Sequence, residues 1–239
     1  VNVSPTVNTT YTLTSLTDNN SCVGVISGSA IITVNQPPVL SLTGTNLICY
    51  NVNTGAVDLA ISSGTAPFGI SWTGPDGFTA PTEDISGLKA GYYAVTVTDS
   101  KGCTAAGNIT LTQPPVLNAA LASTNITCFG ANDGTITISG ATGGAGTYEY
   151  TVNGGTTWTG SGSFTGLAPG TYNVQIRDAV NKTCTLTLNS SLVLTGPAVL
   201  NATVTKTDIN CFGANNGSII ISSPSGGYGT YQYTINGGT

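Results

Sequence analysis

The sequence contains no histidine and no methionine, and only 6% of its residues are charged. Without histidine there is no imidazole base for a Ser–His or Cys–His nucleophile and no His ligand for zinc. The only two glutamates, Glu83 and Glu149, lie far apart in the chain, a poor basis for the paired carboxylates of glycoside hydrolysis. Ser–Lys chemistry has its residue types but no local motif. No enzyme activity is expected. Five basic residues stand singly in a chain of net charge −5, which is no footprint for nucleic acid. No apolar run approaches the ~18 residues that would span a bilayer. No leader peptide heads the chain, which is expected to begin and end inside repeats. There is no C-x-x-C spacing either, so the cysteines are not expected to hold a metal.

What the sequence does have is repetition. Residues 126–156, ITCFGANDGTITISGATGGAGTYEYTVNGGT, return 83 residues later as INCFGANNGSIIISSPSGGYGTYQYTINGGT, with 21 of 31 positions identical. A weaker copy surrounds Cys49, 79 residues upstream. A period of roughly 80 residues is too long for a solenoid repeat and suits one small domain. The junctions NQPPVL, TQPPVL and TGPAVL punctuate the repeats, proline ending one strand and stiffening a short connection. The expected organisation is therefore 1–36 as the end of an Ig-like domain, 37–113 and 114–196 as complete repeats, and 197–239 as the first half of another.

With so few charges, Thr, Ser, Asn and Gly must cover the surface, which favours strands over helices. Period-two alternation supports this. Val57, Leu59 and Ile61 share one face of AVDLAI; Phe68, Ile70 and Trp72 share one face of FGISW; Tyr93, Val95 and Val97 share one face of YAVTVTD. In the next repeat the matching trios begin with Ile136 and Ile138, then Tyr148, Tyr150 and Val152, then Tyr172, Val174 and Ile176. The opposite face of the last strand carries Asn173, Gln175 and Arg177 in one repeat and Ala94, Thr96 and Thr98 in the other, read here as solvated. LKAGYY and LAPGTY place Leu88 and Leu167 to plug a core, Gly91 and Gly170 to take a tight turn, and Tyr93 and Tyr172 as a tyrosine corner. The fold class expected is all-β: tandem Ig-like antiparallel sandwiches of about seven strands, arranged as an elongated rod.

Candidate functional residues are few. Six widely and regularly spaced cysteines suggest an oxidising compartment. One pairing joins Cys49 with Cys103 and Cys128 with Cys184 inside repeats, leaving Cys22 and Cys211 for partners beyond the chain. Closing such a loop of about 55 residues would stabilise by about 4 kcal/mol. The other joins Cys22 with Cys49, Cys103 with Cys128 and Cys184 with Cys211, at separations of 27, 25 and 27, across the proline junctions. The first is favoured, although an ordinary seven-strand layout puts Cys49 and Cys103 near opposite poles. Asp18, Asp99 and Asp178 follow the long strand of each repeat, and Asp76 and Asp133 lie in turns. Capping turn backbone is their ordinary role. Calcium is the functional alternative, without the D-x-D-x-D cluster that would supply its six to eight oxygens. Trp158, in GGTTWTGSG, has no apolar company and is a candidate for stacking on a sugar or anchoring an interface. N-x-S/T triplets such as those at Asn108 and Asn189 are expected by chance in so Asn- and Thr-rich a chain.

The Cys-Phe-Gly-Ala-Asn-Asp-Gly block at 128–134, the Gly-Gly that precedes Tyr148, the Leu-x-x-Gly-x-Tyr turns and Val-Thr-Asp-x-x-Gly-Cys at 97–103 resemble SprB-type repeats of large Bacteroidetes surface adhesins, the gliding-motility adhesin among them. The resemblance implies type IX secretion, an extracellular, cell-surface location and an extended filament. Its partners would be other repeats of the same chain, other filament subunits, and a surface polysaccharide or substratum. A glycan-binding or spacer module of a secreted multidomain enzyme is the alternative.

Overall fold

Strands alternating apolar residues with Thr and Asn can bury one face only by stacking sheets in pairs. The computed structural model describes residues 1–235 and, among them, holds seventeen strands and no α-helix. The chain forms two compact units: Val1–Leu47 with Asn51–Gln113, and Pro114 onward with Ile48–Tyr50.

In the first unit, β1 (Thr9–Thr12) and β2 (Ser29–Ile32) form an antiparallel hairpin. Seven strands follow: β3 (Leu40–Thr45), β4 (Gly55–Ile61), β5 (Gly69–Thr73), β6 (Thr79–Ala80), β7 (Ile85–Leu88), β8 (Gly91–Thr98) and β9 (Thr104–Leu111). They make two antiparallel sheets, β3-β4-β7 and β6-β5-β8-β9. This is the ABE and C′CFG arrangement of an Ig-like sandwich. Val57 and Leu59 from one sheet meet Trp72, Tyr93, Val95 and Val97 from the other, closed by Leu47, Ile85, Leu88 and Leu111. Phe68 and Ile70 are only partly buried at the edge of this core.

The second unit repeats the plan with β10 (Asn118–Thr124), β11 (Gly134–Thr142), β12 (Tyr148–Thr151), β13 (Ser163–Leu167), β14 (Gly170–Asp178) and β15 (Thr185–Leu194). The sheets are β10-β11-β13 and β12-β14-β15. A lone bridge, Tyr150 to Thr159, stands where the first sandwich has β6. Ile126, Ile136, Ile138, Val174 and Leu194 form the core, with Tyr150, Val152, Leu167 and Tyr172 packed partly buried against it. Strands β16 (Ala198–Thr207) and β17 (Ser218–Gly227) pair as a long antiparallel hairpin. Ile219, the counterpart of buried Ile136, is exposed there.

The tyrosine corner is present in both sandwiches: Tyr93 O–H donates to the Lys89 carbonyl (3.0 Å) and Tyr172 O–H to that of Ala168 (2.8 Å). The two glycines of the turn are not equivalent, contrary to the expectation from sequence. Gly91 has φ of +150° and sits so close to Pro75 that a Cβ would collide with its ring. Gly170 is not left-handed, and a Cβ there would meet nothing nearer than 3.9 Å. The left-handed residues common to both turns are Gly87 (φ 69°) and Gly166 (φ 71°), just before Leu88 and Leu167.

Candidate functional site

Strands β8 and β14 each run into a turn that opens with aspartate and closes with cysteine, and Asp18 to Cys22 forms the same kind of turn next to the isolated bridge of Thr17 with Val23. Asp99 is nearly buried, and its Oδ1 accepts the amide N–H groups of Lys101 and Cys103 (both 2.9 Å) while Oδ2 accepts that of Thr65 (3.1 Å). Asp178 Oδ1 accepts Val180 and Asn181 N–H (both 2.8 Å), and Oδ2 accepts that of Ala145. Asp18 Oδ1 takes Asn20 and Cys22 N–H at 2.9 Å. In every case the aspartate amide also donates to the cysteine carbonyl, at 3.2, 2.9 and 3.0 Å for Cys22, Cys103 and Cys184. Burial pushes the Asp99 carboxyl up, but the amides of Cys103, Thr65 and Lys101 outweigh it and hold it below its ordinary value. Asp178 is lowered likewise, burial being outweighed by the amides of Asn181, Ala145 and Val180.

These oxygens face amide hydrogens rather than one another. Among the described residues no three His, Cys, Asp or Glu side chains converge as metal ligands would. Asp133 accepts both the amide and the hydroxyl of Thr127, and Asp76 pairs with Lys89 at 2.7 Å on the surface.

The cysteines correct both pairings read from sequence. Cys49 is bonded to Cys184, 135 residues on, with Cα atoms 5.4 Å apart. Both are buried, at 9% and 7% exposure. The Cys184 sulfur lies 3.2 Å from the Ile48 carbonyl oxygen, a contact only, since a bonded sulfur has no proton to donate. Cys22, Cys103, Cys128 and Cys211 are unbonded. The intramodule pairs fail because Cys49 and its neighbours Ile48 and Tyr50 belong to the second unit, while Cys103 stays with the first. The junction pairs fail because Cys184 is taken by Cys49 rather than by Cys211.

Trp158 is not the solitary exposed ring that its sequence neighbours suggest. It is half-buried, its indole N–H donates to the Gly155 carbonyl (3.0 Å), and the Arg177 guanidinium lies 4.2 Å above the ring centroid. Arg177, the chain's one arginine, also donates to Glu149 from Nε (2.6 Å) and Nη2 (2.5 Å), with Lys182 3.3 Å from the same carboxylate. Hydrogen bonding by Arg177 holds the Glu149 carboxyl below its ordinary range. Gln175 donates to Asn173 alongside at 3.0 Å. The outward face of β14 is thus a tied polar network, although Asn173, Gln175 and Arg177 are expected from sequence to be freely solvated. A period-two reading separates inward from outward positions; it does not pair outward positions across strands. The signal was nonetheless present, since Glu149 and Arg177 sit directly opposite on β12 and β14, where opposite charges attract.

The SprB repeat family matches the chain three times, at residues 41–77, 120–157 and 203–239. The chain carries three SprB repeats. The matches begin within β3, β10 and β16 and take in Cys49, Cys128 and Cys211. The aspartate–cysteine turns of Cys22, Cys103 and Cys184 lie outside the matched segments, so the Cys49–Cys184 bond joins a matched segment to an unmatched one. No curated protein matches the chain.

Proposed function

We propose that this chain is a stalk segment of a large extracellular adhesin filament of a Bacteroidetes-type bacterium, serving surface attachment and gliding, and exported by type IX secretion. The observation that carries the reading is the SprB repeat itself, present three times in 239 residues. The Cys49–Cys184 disulfide supports an oxidising location. Residues 37–113 and 114–196 serve as complete repeats in this reading, with 1–36 and 197–239 belonging to an Ig-like domain and a further repeat. The role is mechanical: sandwiches in tandem form a rod, and the partners are neighbouring repeats, other filament subunits and a polysaccharide or substratum contacted elsewhere on the filament. It asks for no cofactor and no catalytic group. Lys89, Lys182 and Lys206 are held in ion pairs with carboxylates, as suits a polar surface rather than an activated amine.

Immunogold labelling of intact cells with antibody to this segment tests the reading. Label along surface filaments, with loss of attachment when the encoding gene is deleted, is the expected result. Label confined to the cell interior, or normal attachment after deletion, would overturn it. Small-angle scattering of the segment tests the rod separately; a compact particle would remove it.

A further inference from the structure

The six cysteines fall into two structural kinds. Cys49, Cys128 and Cys211 sit in an early turn, ahead of the second long strand of a repeat. Two residues after each, the chain goes left-handed, at Asn51 (φ 54°), Gly130 (φ 77°) and Gly213 (φ 82°). Cys22, Cys103 and Cys184 sit in the late turn framed by aspartate, with the same Asp N–H to Cys carbonyl bond in all three. The one disulfide joins an early-turn cysteine to the late-turn cysteine of the following repeat. The four unbonded cysteines keep the backbone frames of their bonded counterparts, and Cys22, Cys128 and Cys211 are exposed.

We propose that this bond is a rule of the repeat. Each early-turn cysteine bonds the late-turn cysteine of the next repeat along, so that Cys128 and Cys211 take partners from repeats that follow, and Cys22 and Cys103 from repeats that precede. The proposal rests on reading the chain as part of a longer filament. Each bond forms by exchange with a disulfide oxidoreductase of the exporting compartment. Two thiols become one S–S bond, their two protons and two electrons converting the enzyme's disulfide to a dithiol.

The topology has a mechanical consequence. One covalent route runs from Cys22 through the proline junction to Cys49, across the bond to Cys184, and through the next junction to Cys211. A second route runs through Cys103 to Cys128. Two interleaved covalent routes therefore follow the filament, each built of cross-links and proline junctions. Tension is carried by them, and the segments they bypass, Cys49 to Cys103 and Cys128 to Cys184, are withheld from the pull.

Two experiments test this. The 239-residue chain is pulled by its ends in a force spectrometer, with and without reductant. The closed bond withholds a 135-residue loop, worth roughly 450–490 Å of contour length. That length should appear only after reduction, or in Cys49→Ser. Equal total extension in oxidised and reduced chains would overturn the force path. The register is tested by mapping disulfide-linked peptides of the native full-length protein isolated without reductant. Cys103 and Cys128 should each be linked to another repeat, never to each other. Cys128–Cys184, Cys49–Cys103 or free thiols at these positions would sink the rule. Failure of the filament reading is distinguishable: absence from the cell surface would remove the adhesin and leave the mapped register standing.

Discussion

Asp99 and Asp178 show how much one short side chain can organise. Each closes its turn by accepting several amide hydrogens and presents a cysteine at a fixed place. Their carboxyls lie below the ordinary 3.8 when the protein is folded. A folded-state value below the unfolded one means the folded protein resists protonation. The stabilisation is fully present above the unfolded value and is lost as pH falls through the lowered one. Denaturation midpoints should therefore hold steady down to about pH 4 and fall below it, and Asp178→Asn should flatten that fall while lowering the midpoint at neutral pH. An unchanged acid limb in the variant would show that other groups govern it. At the tyrosine corner, Tyr172→Phe removes only the bond to Ala168 and should cost about 0.5–1.5 kcal/mol, read from the shift in denaturant midpoint.

Strand β14 divides its two faces between packing and charge. Val174 and Ile176 are fully buried. Val174→Ala should open a cavity and cost on the order of 1–3 kcal/mol. The other face carries the Trp158–Arg177–Glu149 network. Arg177→Ala should cost less, about 0.5–1 kcal/mol for the lost cation–π contact, and should change Trp158 fluorescence. Trp72, fully buried, gives a constant background against which that change is read. If Val174→Ala proved neutral while the polar face was intolerant of change, that face would be packed against a partner.

For the molecule as a whole, the covalent link changes what unfolding means. Closing a loop of 135 residues restricts the unfolded chain, and the loop-entropy relation puts the effect at about 5 kcal/mol. Cys184→Ser should lower the stability of the second sandwich by up to that amount, measured by denaturant unfolding under non-reducing conditions. Thiol titration of the unfolded, unreduced segment should find four thiols, those of Cys22, Cys103, Cys128 and Cys211. Two thiols would restore the pairing inside repeats, and none would restore the pairing across junctions.

The sequence by itself determined the sandwich. Period-two patterns identify Val57, Leu59, Val95, Val97 and Val174 as buried because strand geometry sends alternate side chains to opposite faces, whatever the surroundings. Turn chemistry is equally local: an aspartate caps the backbone a few residues ahead, so Asp18, Asp99 and Asp178 were legible as turn formers, and Tyr93 and Tyr172 reach only four residues back. The disulfide was not legible, because pairing depends on which Cα atoms approach within about 6 Å. Cys49 and Cys184 are 135 residues apart, and no spacing announces that Ile48–Tyr50 belong with the second unit. The partners of Trp158 are not legible in the sequence for the same reason. Its companion Arg177 is 19 positions away in the chain and arrives only when β14 pairs with β12 across the sheet. Local rules fix which way a side chain points; only the assembled sheets decide what it meets.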